Sequence, residues 1–178
     1  MLVPVGCRAT NTTQHRKGET PMSITITSDA FADGEPIPKI YTGEGMNASP
    51  HLQWSSPPPE TAELALICDD PDAPGAKPWV HWVLYKIPGN ITELPEGVSR
   101  LEYLSAPIGA IHGVNSFGKV GYDGPMPPRG YGVHHYHFKI YALDEAVEIE
   151  PKLDKAAVLK AIRPHIIAQG ELVGTYER

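Results

Sequence analysis

A chain of 178 residues is about one domain of sequence. Its 17 glycines and 19 prolines, about a fifth of the whole against a usual share near an eighth, exclude a helical bundle or coiled coil, because proline removes a backbone donor and clashes inside a helix. Fifteen Lys and Arg against 21 Asp and Glu leave a net charge of −6 at pH 7, which works against indiscriminate binding to nucleic acid or anionic membranes.

Residues 1–21 are polar after the first six and lack the apolar core of a signal peptide, so they are expected to form a disordered extension before a single domain over 22–178. MSITITSD then alternates Ile24 and Ile26 with small polar residues, the period of a half-buried strand. The next thirty residues are rich in turn formers, with short strand pieces at most at 37–41 and 52–54. ELALIC (63–68) reads as a buried strand that runs into the turn residues Asp69-Asp70-Pro71-Asp72-Ala73-Pro74, and WVHWVLYKI (79–87) as a second strand. Between 88 and 130 periodicity is lost, and the glycines, prolines and aromatics of 114–130 suggest an ordered wall. VHHYHFKIYALD (133–144) returns to strand. A helix is predicted over 154–169, with Val158, Leu159, Ile162, Ile166 and Ile167 on one stripe and Pro164 breaking or bending it. ELVGTYE (171–177) closes as a strand. Many strands to one helix predict a mainly β, antiparallel sandwich with long Pro/Gly loops and a C-terminal helix at one edge.

The candidate chemistry lies in the histidines. Strand parity puts His134, Tyr136 and Phe138 on one face and His135, His137 and Lys139 on the other. It also groups Trp79, His81, Val83 and Tyr85 opposite Val80, Trp82 and Leu84. One arrangement is a metal centre of His135, His137 and His81 with Asp70 or Asp72. Another gathers His134, His81 and Asp70 around a concavity where imidazoles meet an oxyanion and the aspartate sets a ring tautomer. Any single one of these histidines can equally be a satisfied polar residue at a sheet edge. Cys68, in an apolar strand, reads as a buried, inert thiol. A triad of Ser116, His134 and Asp70 lacks the G-x-S-x-G elbow, and neither a phosphate-cradling loop nor a basic patch supports nucleotide or nucleic-acid binding. Two cysteines, one of them Cys7 in the extension, form no disulfide framework and suit the cytoplasm. No apolar run approaches the ~20 residues that span a bilayer.

Asp70-Pro71-Asp72-Ala73-Pro74, Trp79-Val80-His81-Trp82, Asn115-Ser116-Phe117-Gly118, Gly121-Tyr122 and Gly124-Pro125-Met126-Pro127-Pro128-Arg129-Gly130, leading into His134-His135-Tyr136, occur in this order. Together with Tyr141-Ala142-Leu143-Asp144 and the terminal Glu171-Leu172-Val173-Gly174-Thr175-Tyr176, they resemble the phosphatidylethanolamine-binding protein family in its bacterial and archaeal, Raf-kinase-inhibitor-like branch. The resemblance covers roughly 22–178. It implies a Greek-key-like β-sandwich with a small anion pocket formed by Asp70, His81 and His134, with Tyr136, Pro125, Pro127 and Pro128 nearby. Such a pocket accepts phosphate, acetate or a phospholipid head group such as phosphoethanolamine. The chain departs from the family pattern at His135, where arginine is common, and at Gly43, where bacterial relatives often carry cysteine. The expectation is a small-anion-binding protein with a regulatory role, without catalytic residue, metal or cofactor. The competing expectation is a weak hydrolase or metal-dependent enzyme built on the histidine cluster. No protein partner can be named, and an edge strand or the terminal helix leaves a homodimer open.

Overall fold

The computed structural model describes residues 20–105 and 108–178, so all but the last two residues of the expected N-terminal extension, and Cys7 with them, lie outside the described residues. Among the described residues nine strands form two sheets. In chain order they are β1 (Met22–Ser23), β2 (Ile26–Thr27), β3 (Leu52–Trp54), β4 (Glu63–Asp70), β5 (Trp79–Pro88), β6 (Glu93–Leu94), β7 (Ile111–His112), β8 (His134–Leu143) and β9 (Ile166–Tyr176). Among the described residues a single α-helix, α1 (Lys155–Ile162), occurs, just before β9. The larger sheet has the order β1-β9-β8-β4-β5-β7 and the smaller β2-β3-β6. All pairings are antiparallel except β1 with β9. After β7 the chain crosses back to lay β8 beside β4, a Greek-key-like return. The mainly β sandwich expected from the sequence is the fold observed.

The larger sheet is apolar on both faces because it is covered on both. Leu64, Leu66, Trp82, Leu84, Phe138 and Ile140 pack toward the smaller sheet, where Leu52, Trp54 and Leu94 complete the main core. Ala65, Val83, Tyr85 and Leu143 face the other way, onto Val158 and Ile162 of α1. Each such side chain contributes roughly 1.5–3 kcal/mol when fully buried, so the three long central strands β4, β5 and β8 carry most of the fold. Among the described residues, no helix is long and apolar enough to cross a membrane.

Four local expectations are corrected. MSITITSD is divided: β1 joins the larger sheet through β9 and β2 the smaller through β3, although Ile24 and Ile26 are both buried as the alternation requires. The stretch 37–41 is not strand but ends in a 3-10 turn, Lys39–Tyr41. The helix is half its expected length: Asp154 caps it by accepting from the Ala157 N–H at 2.8 Å, and it stops at Ile162, followed by a 3-10 turn, Arg163–His165, that contains Pro164. Ile166 and Ile167 then belong to β9, whose ladder with β8 satisfies backbone groups that a proline-broken helix would leave open. Finally, the alternation expected along β5 fails at His81.

Candidate functional site

A β-bulge builds the site. Asp70 pairs with Trp79 and Asp69 with Val80, but Cys68 pairs with Trp82, so His81 is an extra residue opposite no partner. Beyond the bulge the parity reverses. Trp82 and Leu84 enter the main core, and Val83 and Tyr85 face α1, while His81 lies on the main-core side next to Tyr136, with ring centroids 5.1 Å apart in an edge-on arrangement. Bulges re-aim side chains at the ends of ladders, and this one brings His81 to the place where β4 ends and β8 begins.

Asp70, His81, His134 and Tyr136 line one cavity of about 230 Å³. Trp79 and Phe117 form an aromatic side, packed edge-on at 5.4 Å with Phe117 5.6 Å from His81. Ala73 and Pro74 wall one flank, and Met126, Pro127 and Pro128 the other. The volume falls below the roughly 300–1,000 Å³ of sites for drug-sized ligands. Pro125 does not line it. That residue is buried, with its carbonyl accepting from the Gly43 N–H at 2.9 Å, and it supports the loop from behind. Gly124 is required beside it, since a β-carbon there would collide with the Tyr41 carbonyl oxygen.

The partners of the two imidazoles fix their tautomers. His81 Nδ1 lies 2.6 Å from the Asp123 carbonyl oxygen, which can only accept, so Nδ1 carries the hydrogen. His134 Nδ1 lies 2.7 Å from Asp70 Oδ2, with both side chains almost fully buried. The other carboxylate oxygen of Asp70 accepts from the Asp72 N–H at 2.8 Å. Neither Nε2 has a partner among the described residues, nor does the Tyr136 hydroxyl. Burial lowers the pKa of His81, more than the nearby carbonyl and carboxylates raise it, so its Nε2 stays a lone-pair acceptor near neutral pH. Burial, together with the charge of Asp70, raises the pKa of Tyr136, which keeps its hydroxyl a donor.

A second layer holds this geometry. Asp123, itself buried, donates its backbone N–H to the His81 carbonyl at 3.0 Å while its own carbonyl takes the ring. Its carboxylate accepts from Asn47 at 3.1 Å, from Asn115 at 2.9 Å and from Arg100 at 3.4 Å. Asn115 also accepts from the Phe117 and Lys119 N–H groups at 3.0 and 3.1 Å. One buried amide therefore sets both Phe117 and the loop that grips His81. Asp123 and Asn115 have no sequence signal of a site beyond their place in the Asn-Ser-Phe-Gly and Gly-Tyr stretches, because their effect runs through the backbone.

The other candidates are kept apart. His135 and His137 project to the opposite face from His81, where His135 pairs with Asp72 and His137 with Glu171, each at 2.7 Å. Among the described residues no three His, Cys, Asp or Glu side chains stand together as a metal site. Ser116 accepts from the Val80 N–H at 2.8 Å and lines a neighbouring cavity instead of the one containing His134, so the triad does not assemble. Cys68 is fully buried, and burial pushes its thiol pKa up.

The family model described as phosphatidylethanolamine-binding protein matches residues 27–177. A UPF0098 protein of Pyrococcus horikoshii is 45% identical over 161 residues, covering 90% of this chain and 80% of that protein. Among solved structures, CT736 of Chlamydia trachomatis, described as a homologue of phosphatidylethanolamine-binding protein, superposes with a TM-score of 0.78 at 39% identity, covering 88% of this chain and 98% of its own. Escherichia coli YbcL, described as a member of the mammalian family, gives 0.80 at 35% identity, with 87% and 98% covered.

Proposed function

The chain belongs to the phosphatidylethanolamine-binding protein family, and from that premise we propose that its 230 Å³ cavity binds a small oxyanion, inorganic phosphate or a phosphorylated head group, in its monoanionic form. Membership supports ligand binding in the general sense. The finer reading rests on one observation: His81 and His134 reach the cavity with their Nδ1 atoms already committed and both Nε2 atoms without a partner among the described residues.

The protonation state follows from the donors and acceptors at hand. Among the described residues no Lys or Arg lines the cavity, and the buried Asp70 carboxylate would repel a dianion in a low-dielectric setting. His81 Nε2 accepts, so the ligand must bring a hydrogen, from a P–OH or an ammonium group. The Tyr136 hydroxyl donates to an unprotonated oxygen, and His134 does so when it carries a second proton. The ligand and His134 thus share protons that neither Asp70 nor His81 can supply. The role is binding and, through occupancy, regulation; no step of catalysis is assigned.

Titration calorimetry with inorganic phosphate and with phosphoethanolamine, on the wild type and His134→Ala, tests this. Loss of the heat in the variant is expected, and comparable heats in the two proteins would overturn the reading. Affinity for a phosphate monoester should also fall as pH rises past its second ionisation near ~6.

A further inference from the structure

Two consecutive residues of β8 each hold an aspartate, the two being two positions apart at the end of β4. His134 takes Asp70 on the inside; His135 takes Asp72 on the outside, and doubly, since Asp72 Oδ2 accepts from the His135 N–H at 2.9 Å and from its ring Nδ1 at 2.7 Å. Between β4 and β5 runs a loop, residues 71–78, exposed at every position except the half-buried Ala73. Among the described residues, 74–78 make no hydrogen bond to any other segment. Beyond the Asp72 N–H on the Asp70 carboxylate, the tie from the Asp72 side chain to His135 is therefore what holds the loop to β8.

This loop is a partition. On one side Ala73 and Pro74 wall the anion pocket. On the other, residues 74–78 roof a second, larger cavity of about 750 Å³, floored by Val80, Val114 and Ala156. Pro74 and Trp79 belong to both. An exposed ion pair adds little to global stability, and His135 and Asp72 are 49% and 41% exposed. What the pair can do is local, namely decide where the partition stands.

We propose that the His135–Asp72 pair is a specificity-determining clasp, which holds the 71–78 loop as the wall between the two cavities and so confines the pocket to ligands little larger than the phosphoryl group itself. The inference rests on the anion-binding reading above and adds to it the residue pair that sets ligand size. Neither side chain touches the ligand; both act by positioning the wall.

The test uses inorganic phosphate and 1-naphthyl phosphate, which carries a bulky ring on the same phosphoryl group, with Asp72→Ala, His135→Ala and His135→Arg. The wild type should bind phosphate and discriminate against the naphthyl ester. In Asp72→Ala and His135→Ala, phosphate affinity should fall about tenfold while the ester's holds or rises, so that discrimination narrows by tenfold or more. His135→Arg, whose guanidinium can also reach the carboxylate, should restore it. In ligand-free protein, backbone amide order parameters at Ala73, Gly75, Ala76 and Lys77 should fall in Asp72→Ala from about 0.85 to below about 0.6. Equal changes for both ligands, no change for either, or unaltered order parameters would each overturn the clasp. A wild type that binds no phosphate would overturn the anion reading instead, and the relaxation measurement would still decide whether the clasp holds the loop.

Discussion

Tyr136 and Asp72 show how differently a single polar group can matter. The Tyr136 ring is buried in the main core and contacts His81, yet its hydroxyl has no partner among the described residues. Removing that oxygen should leave the fold alone and be felt only by a ligand. Tyr136→Phe is expected to keep its free energy of unfolding in urea within about 0.5 kcal/mol of wild type and to bind phosphate roughly five- to tenfold more weakly, the worth of one hydrogen bond of about 1–1.5 kcal/mol; unchanged affinity in calorimetry would remove the hydroxyl from the site. Asp72 is the opposite case, with one carboxylate oxygen engaged twice by His135 and no place in the cavity lining. Partial burial raises its pKa, but the hydrogen bonds from His135 and the charges of His135 and His134 outweigh this and lower it.

At the level of elements, what the sequence makes legible is whatever local pattern decides alone. β4, β5 and β8 announce themselves because Leu64 to Cys68, Val80 to Ile87 and Phe138 to Leu143 are, apart from His81, Lys86 and Lys139, apolar on both faces and rich in β-formers. The parity of β8 alone places His134 beside Tyr136. Features set by distant partners are not legible. The bulge at His81 exists only in the register of β5 against β4, β1 and β2 are divided by the sheets they join, and the helix yields to β9 because β8 offers a ladder. Pro125, expected near the ligand, shares the composition of Pro127 and Pro128 and differs from them only in which side of the loop it faces. The shortened α1 makes its cap count for more, since eight residues propagate little helix of their own. Asp154→Ala should lower stability by about 1 kcal/mol, a fall in Tm of roughly 2–4 °C. Phosphate affinity should be unaffected, because Asp154 borders the larger cavity and not the one lined by His81 and His134. A drop in affinity of similar size would mean that the helix terminus communicates with the pocket.

For the whole molecule, the buried histidines tie stability to pH. His81 and His112 both have pKa values lowered below the ordinary 6.5, in each case chiefly by burial, with a backbone carbonyl partly opposing it. In the unfolded chain both recover the ordinary value, so below about pH 6.5 the unfolded state binds more protons than the folded one and stability must fall with pH. The carboxylates act lower down. Asp69, desolvated but held by Lys155 and Lys139, and Asp72 both have pKa values lowered from 3.8, so the stability they contribute is present above that value and lost as pH drops through it. Two successive losses are therefore expected on acidification from pH 7, one beginning near pH 6.5 and one below pH 4, and thermal melts in a series of buffers would resolve them. A bound monoanion opposes the first loss, because occupancy stabilises the folded state by RT ln(1 + [L]/Kd) and the ligand form we assign becomes more abundant as pH falls toward 6. Melts with and without saturating phosphate should thus diverge most between pH 5 and 6.5. A phosphate-induced rise in Tm that is instead largest above pH 8 would show that the pocket prefers the dianion, and that the proton shared between ligand and histidines has been misplaced.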